Sequence, residues 1–357
     1  MLAVATPADK LEGVTLSSGW KIGERFIKKN GESGGNFGTC YFATRGEDKA
    51  FIKALDFRRA YIEADFISAL NQLTGHVLWE KELMEFCSSQ GMSRIVRLLD
   101  YEDLVLPEDH GDQTKKICCL VFEVGKGDLR RHFDLTSAPR KSWRLRVLRD
   151  VALALDQLHR RGVAHLDVKP SNVILVGELL GKAEMMKLGD LGRCVRKGMN
   201  GPFDAMIWPG DQTYAPPEKW YGYKSAQWND EREAGDAYLL GSLAVFLFSG
   251  VAMNPLLVNE IPDSFRPAVY RGAFDEQLID VLKQAQAKAI ALHVVPELPA
   301  CSREELISTI TELTAPDPSK RGDRRARLQG VVGIDRYHQK FLRIAERVSL
   351  EERKGTV

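Results

Sequence analysis

From Gly19 to Asp56 the pattern of apolar and polar positions is strand-like. Turn chemistry interrupts it at Asn30-Gly31, at Gly34-Gly35 and at Gly46-Glu47-Asp48. Tyr61 to Cys87 changes to a helical pattern, with Thr74-Gly75 as a candidate break. Two apolar runs, Ile95–Tyr101 and Ile117–Glu123, read as strands. Residues 1–18 show no such order and read as a loose tail. Beyond Glu123 helices take over. Leu145, Leu148, Val151, Leu155 and Leu158 recur at helical spacing and predict an amphipathic helix over Trp143–Arg161. Short strands are expected near Val173–Val176 and Met186–Leu188, followed by an irregular Gly- and Pro-containing stretch from Gly192 to Pro217. The run Tyr238–Phe248 is too short to span a bilayer and reads as a buried helix. A small strand-rich half, a linker near Glu123–Gly127 and a larger helical half imply a cleft between them, where ligand sites tend to form.

Composition narrows the function classes. The chain has 357 residues, enough for one large bilobed domain or two ordinary ones. With 50 Lys and Arg against 49 Asp and Glu, net charge makes no case for nucleic acid or an anionic membrane. The six cysteines form no C-x-x-C pair and suggest neither a zinc site nor a disulfide framework, which favours a reducing compartment. The N-terminus lacks the cationic start and apolar core of a signal peptide, so a cytoplasmic location is expected.

The densest chemistry lies at His165-Leu166-Asp167-Val168-Lys169-Pro170-Ser171-Asn172. A carboxylate, an ammonium and a carboxamide within six residues suit phosphoryl transfer. The carboxylate can orient a hydroxyl and accept its proton, the cation can face developing phosphate charge, and the amide oxygen can bind Mg²⁺. Asp190, at the end of a short apolar strand and before Leu191-Gly192, is a further hard-cation ligand.

Together these residues resemble the signature set of the protein kinase superfamily. His165-Leu166-Asp167, with Lys169 and Asn172 in register, resembles the H-R-D catalytic loop, and Asp190-Leu191-Gly192 resembles D-F-G. Pro216-Pro217-Glu218 resembles A-P-E, Asp236–Gly241 the start of the central helix of the large lobe, and Asp317–Arg321 the late motif whose Arg pairs with the A-P-E glutamate. The likeness spans roughly residues 19–325. It implies an α+β, two-lobed protein-kinase fold with a small β-rich N-lobe and a larger helical C-lobe. On that basis the chain divides into an N-terminal tail (1–18), an N-lobe (19–123), a C-lobe (124–330) and a C-terminal helical tail (331–357).

Ser33–Cys40 resembles the Gly-rich loop, with Ser33 in place of its first glycine, and Ala50-Phe51-Ile52-Lys53 resembles V-A-I-K. The resemblance implies ATP and Mg²⁺ as cofactors and a protein carrying Ser or Thr as substrate, since Lys169 is the residue of the Ser/Thr branch. It assigns Asp167 and Lys169 to catalysis, and Asn172 and Asp190 to the metal. Gly35, Phe37, Gly38, Cys40, Lys53, Glu123, Gly125, Asp128 and Ile174 are assigned to the nucleotide. Within that set, Lys53 holds the α- and β-phosphates, Phe122–Gly125 reads the adenine edge through backbone groups, and Asp128 bonds the ribose. Glu80, Glu82 and Glu85 compete as the acidic partner of Lys53. Glu80 is preferred because Leu83, Met84 and Cys87 place it beside an apolar stripe, with Glu82 next.

Three positions depart from the family pattern. Leu166 replaces the Arg that usually receives an activation-segment phosphate, and residues 192–212 contain no Ser, Thr or Tyr. Loss of acceptor and of receptor agree, and predict a kinase that needs no phosphorylation there, ordered instead by burial of Phe203, Met206, Ile207 and Trp208. Asp211 stands where Thr is usual, able to bond Lys169 but expected to crowd Asp167. Phe51 replaces a small residue and, with Phe122 behind it, predicts a tight aromatic base pocket. These departures keep a pseudokinase acting as a binding module in view, and a small-molecule kinase on a related fold is a further alternative. Lack of a membrane-spanning helix resembles cytoplasmic kinases of bacterial type. Cys118, Cys119 and Cys194 are expected as inert core thiols, and Asp335–Arg353 as an amphipathic helix packed on its own domain.

Overall fold

A computed structural model describes residues 6–27, 38–105, 116–135, 139–177 and 184–355. The N-terminal part is a five-stranded antiparallel sheet built from β1 (Lys21–Arg25), β2 (Thr39–Arg45), β3 (Asp48–Asp56), β4 (Leu98–Val105) and β5 (Lys116–Glu123), in the order β1-β2-β3-β5-β4. Between β3 and β4 lie a single turn, α1 (Arg58–Tyr61), and the long α2 (Phe66–Ser89). The helical part carries α3 (Leu129–Leu135), α4 (Lys141–His159), the short strands β6 (Val163–Ala164), β7 (Val173–Val176), β8 (Met185–Leu188) and β9 (Val195–Arg196), then α5 (Pro217–Trp220), α6 (Ala234–Ser249), α7 (Met253–Glu260), α8 (Glu276–His293), α9 (Arg303–Leu313), α10 (Arg324–Arg327) and α11 (Asp335–Lys354). This is the two-lobed kinase architecture. No single helix among the described residues is long and apolar enough to cross a membrane.

Strand alternation sorts the sheet into two faces. Ala50, Ile52 and Ala54 of β3 join a small core with Trp20, Ile22 and Tyr41, whereas Leu55 joins the main core with Leu83, Met84 and Phe122. Phe51 and Lys53 therefore share the face that looks toward α2 and the cleft. Thr6 onward is not a loose tail. Ala8, Leu11 and Leu16 are buried on the small-core face, and the Tyr41 hydroxyl donates to the Ala8 carbonyl at 2.7 Å. These apolar residues follow no helical or strand period, so local pattern does not reveal them; tertiary burial organises them.

Helix α2 runs unbroken through Thr74-Gly75. An interior Gly costs about 1 kcal/mol relative to Ala. The buried stripe Val77, Trp79, Leu83, Met84 and Cys87 outweighs that, at about 1.5–3 kcal/mol for each large side chain. Asp65 caps the helix by accepting from the Ser68 N–H. The strand expected over Ile95–Tyr101 starts later, at Leu98. Arg94–Val96 instead stitches the lobes together: Val96 N–H donates to the Leu188 carbonyl and Leu188 N–H to that of Arg94, both at 2.8 Å.

Helix α6 is the buried axle of the large lobe, from Ala234 to Phe248. Helix α11 packs along α4 through Tyr337, Phe341, Ile344, Ala345 and Val348. Its Glu352 carboxylate accepts from the backbone N–H and hydroxyl of Ser142 at the start of α4. Glu218 and Arg321 form a bidentate pair at 2.9 and 2.7 Å with both side chains buried. Arg321 also donates to the carbonyls of Ala234, Ala315 and Pro316. With every polar atom matched, the pair fixes how α5 sits on the lobe rather than adding much net stability.

Candidate active site

Two fully buried hydrogen-bond acceptors shape the loop after β6. The backbone N–H groups of His165 and Leu166 donate to the two oxygens of Asp236 on α6, at 2.8 and 2.7 Å, and the His159 ring lies 2.8 Å from the same carboxylate. That anchoring holds Leu166 at φ +60°, a conformation that costs a non-Gly residue energy. Asp236 was legible in the sequence only as the head of an apolar helix. A buried carboxylate needs partners, and these are the peptide groups it receives.

Asp167 follows directly. One of its carboxylate oxygens accepts from the Asp211 backbone N–H at 2.8 Å. The other accepts from Asn172 Nδ2 at 3.0 Å and lies 3.1 Å from Lys169 Nζ. Lys169 also reaches Asp211 Oδ2 at 3.2 Å. Crowding of Asp167 by Asp211, expected from sequence, does not occur. The Asp211 carboxylate turns away to Lys169, Thr213 N–H and the Thr213 hydroxyl, and what faces Asp167 is a backbone donor. Burial pushes the Asp167 carboxyl above the ordinary carboxylate range, with Lys169 as the main charge opposing that rise.

Across the cleft, Lys53 Nζ donates to both oxygens of Glu80, at 3.0 and 2.7 Å. Glu82 is exposed, and Glu85 pairs with Lys81 at the helix surface. Asp190 sits at φ +58°, which Asp tolerates better than most residues, and its Oδ1 is 3.7 Å from Lys53 Nζ. Burial works against the charge of Lys53, but Glu80 and Asp190 outweigh it and hold the ammonium firmly protonated. Burial likewise opposes the Asp190 charge, and Lys53 outweighs it, so that carboxyl stays below its ordinary range. Lys53, Glu80, Asp167, Lys169, Asn172 and Asp190 line one cavity of about 340 Å³.

The other expected nucleotide residues are not among those lining this cavity. Cys40 stands opposite Lys53 in the β2–β3 ladder, and Gly38 immediately precedes β2. Gly35 and Phe37 lie outside the described residues. The Phe51 ring meets Phe26 and Phe42 edge to face, at 5.7 and 5.9 Å, which makes an aromatic roof on the Lys53 side of the sheet. Gly125 closes on Ile174 so tightly that a Cβ at 125 would lie 2.2 Å from Ile174 Cγ2, which excludes any side chain there. The Glu123 carboxylate accepts from Arg97 N–H and Lys187 Nζ, at 2.7 and 2.6 Å, so its side chain is engaged away from the cleft. Asp128 accepts from Arg131 N–H at 2.8 Å at the start of α3.

The stretch after Asp190 docks on α2 and α6. Trp79, one residue before Glu80, donates from Nε1 to the Cys194 carbonyl at 2.9 Å. Phe203 stacks on His76 at 4.7 Å, with the Arg193 guanidinium 4.8 Å from its centre. Trp208 is buried beside Leu166 against Gly235, where a Cβ would lie 2.9 Å from the indole ring. Of the four apolar residues expected to be buried here, Phe203 and Trp208 are, whereas Met206 and Ile207 are each 42% exposed. The latter two flank a turn whose inward positions are already taken by the rings. Cys118, Cys119 and Cys194 are buried, and burial pushes their thiols up, to about 12 for the first two. Trp79 and His76 were not singled out from sequence; their signal is helical spacing with Glu80 on one stripe of α2.

The family model of the protein kinase domain matches residues 29–329. The chain belongs to the protein kinase family. Among its relatives is the serine/threonine-protein kinase ArnS of Sulfolobus acidocaldarius, 29% identical over 60% of this chain and 35% of that protein. The MAPK/MAK/MRK overlapping kinase of Mus musculus is 28% identical over 71% of this chain and 53% of its own length. The Death-associated protein kinase related protein of Drosophila melanogaster is 28% identical over 44% of this chain and 22% of its own. The kinase thus spans from about a fifth to about half of these relatives.

Proposed function

We propose that this kinase is catalytically active, moves the γ-phosphoryl of Mg-ATP onto a Ser or Thr hydroxyl of a protein, works in the cytoplasm and needs no phosphorylation of its activation segment. The observation that carries the reading is the convergence of Lys53–Glu80, Asp167, Lys169, Asn172 and Asp190 on one cavity with their charges already paired. A binding module relieved of chemistry has no reason to keep this set aligned. In this reading residues 19–123 form the nucleotide lobe, 124–330 the substrate lobe, and 331–357 a helical brace.

The donor set fits a magnesium nucleotide. Asp190 and Asn172 offer hard oxygen ligands, few enough that phosphate oxygens and water complete the shell, as Mg²⁺ prefers. When bound, Mg-ATP supplies the transferable phosphoryl and the cation that neutralises charge on it. Lys53, held by Glu80, would hold the α- and β-phosphates. Gly125, packed against Ile174, would offer backbone groups to the adenine edge, and Phe51 would add an aromatic surface on the Lys53 side of the sheet. Asp167 orients the substrate hydroxyl and takes its proton. Lys169 would face the phosphoryl, and Asp211 keeps Lys169 in place. Segment order comes from Trp79, Phe203 and Trp208 rather than from a phosphate: Leu166 lies against Gly235 beside Trp208, where an Arg would bury an unpaired charge.

The test is incubation of the full chain with labelled ATP, Mg²⁺ and a generic Ser/Thr substrate, against Asp167→Ala, across pH. Wild type labels the substrate and the variant does not. Asp167 must be ionised to accept a proton, and its folded pKa is raised, so activity is present above that pKa and lost as pH falls through it. The acid limb is therefore expected above the ordinary Asp value of about 3.9. Lys169→Ala removes the main charge opposing burial and moves the limb higher. Equal labelling by wild type and Asp167→Ala rejects the reading, and labelling of a small-molecule acceptor alone redirects it.

A further inference from the structure

We propose that Asn254, a buried amide on α7, is a positioning residue for phosphoryl transfer. It pins the backbone of Thr213–Ala215 so that Thr213 holds the Asp211 carboxylate on Lys169. The inference rests on the active-kinase reading above.

Asn254 is the second residue of α7, whose start is tied to α6 by the Met253 N–H donating to the Ser242 hydroxyl at 3.1 Å. Every polar atom of its side chain is engaged. Nδ2 donates to the carbonyls of Thr213 and Ala215, at 2.8 and 2.9 Å. Oδ1 accepts from the Tyr238 hydroxyl at 2.6 Å. Chemistry fixes which way the amide faces. Two carbonyls can only accept, so the NH₂ must meet them, one hydrogen for each. The oxygen then falls to Tyr238, which is fully buried on α6 with the Arg321 guanidinium 5.0 Å from its ring centre. Burial holds the Tyr238 phenol well above its usual range, so the hydroxyl keeps the proton it donates.

A continuous path runs from this amide to the catalytic pair. Thr213 gives its carbonyl to Asn254, and its N–H and hydroxyl to Asp211 Oδ1, at 3.0 and 2.7 Å. That double contact leaves Asp211 Oδ2 for Lys169, at 3.2 Å. Lys169 therefore stands between two carboxylates, since Asp167 lies 3.1 Å away. The Asp211 side chain is a third exposed, and without Thr213 it has solvent to turn into. Lys169 would then close on Asp167 alone, which quenches the proposed base and withdraws the cation from the phosphoryl. Asn254 touches neither Lys53 nor Glu80 nor Asp190, so its effect falls on transfer and not on nucleotide binding.

The test uses the full chain with Mg-ATP and a generic Ser/Thr protein substrate. It compares wild type with Asn254→Leu, Asn254→Asp, Tyr238→Phe and Thr213→Val, and places Asn254→Leu in an Asp211→Ala background. Readouts are kcat, KM for ATP, Kd and stoichiometry of Mg-ATP binding by direct titration, and melting temperature. Asn254→Leu and Asn254→Asp keep the shape and lose both donors. Each is expected to lower kcat about tenfold, with Kd and KM for ATP within about twofold and full binding stoichiometry, so the loss is not a loss of folded protein. Tyr238→Phe keeps both donor contacts and loses their orienting partner, and exposed Thr213→Val loses only the hydroxyl link; each costs about threefold. In the Asp211→Ala background Asn254→Leu changes kcat by less than about twofold, because the route is already cut. A tenfold loss that persists in that background overturns the inference. So does a lowered melting temperature with wild-type kcat, or a Kd that rises as kcat falls, either of which makes Asn254 a structural brace. If the Asn254 variants do not fold, wild-type kcat in both Tyr238→Phe and Thr213→Val overturns it equally. A wild type that labels no substrate rejects the active-kinase reading itself, which separates the two failures.

Discussion

Replacing Asp190 by Ala is expected to lower Mg²⁺-dependent phosphoryl transfer by ~10³-fold while leaving the fold intact. Among the described residues, the carboxylate is the only acid in the cavity that lies beside Lys53 without being its primary partner, since Glu80 takes both short contacts. It is therefore free to face a cation. Its loss leaves Lys53 paired and α2 in place, so the damage is electrostatic rather than architectural. One complication is backbone conformation. Asp190 sits at φ +58°, where Ala pays about 1–2 kcal/mol and Asn pays less. Asp190→Asn therefore isolates the charge, and both variants should be equally inactive if charge is what matters. The measurement is initial rate against Mg²⁺ concentration, with melting temperature as the control for folding. Near-normal turnover in either variant at ordinary Mg²⁺ would sink the active-kinase reading.

Much of this architecture was legible because the decisive residues sit at fixed spacings within single elements. Lys53 on a strand, Asp167, Lys169 and Asn172 on one loop, and Asp190 at a strand end are local patterns. The pairing of Lys53 with Glu80 was narrowed by helical periodicity, and geometry then chose among three acids. What escaped were features created by packing between distant segments. The segment from Thr6 to Gly19 has no period to read, yet Tyr41 and Trp20 give it a binding surface. A break at Gly75 is reasonable from propensity and fails because the helix is paid for by its buried stripe. Asp211 was misjudged because a residue name reports the side chain, whereas here the backbone N–H meets Asp167. Met206 and Ile207 are apolar but lie on the outside of a turn whose interior two rings already fill.

Trp208→Ala is expected to cut activity by about 100-fold without any change in phosphorylation state, an effect of ~3–5 kcal/mol for an emptied aromatic site against ~1.4 kcal/mol per factor of ten, discounted for partial collapse of the loop. The ring is 2% exposed and wedged where Leu166 and Gly235 meet. Its Nε1 donates to the Asp211 carbonyl at 3.3 Å, and Gln212 Nε2 donates back to the Trp208 carbonyl at 3.1 Å. Asp211 in turn gives its N–H to Asp167 and its carboxylate to Lys169. Trp208 is thus two hydrogen bonds from the proposed base, and loosening it frees the peptide that orients Asp167. Trp208→Phe keeps most of the wedge and loses the N–H, so its loss should be several-fold only. Gly235→Ala leaves the indole intact but drives a methyl to within 2.9 Å of it, and should reproduce much of the Trp208→Ala defect. Phosphorylation is a poor substitute. The Thr213 hydroxyl already donates to Asp211 at 2.7 Å, and a phosphate there would set a dianion beside Asp211 and Asp167. Phosphatase treatment of wild type should accordingly leave its rate unchanged. The deciding measurement is the rate of protein shown by mass spectrometry to carry no phosphate. If that protein is inert and recovers only when Thr213 or Tyr214 is phosphorylated, the segment is not held by its aromatic wedge.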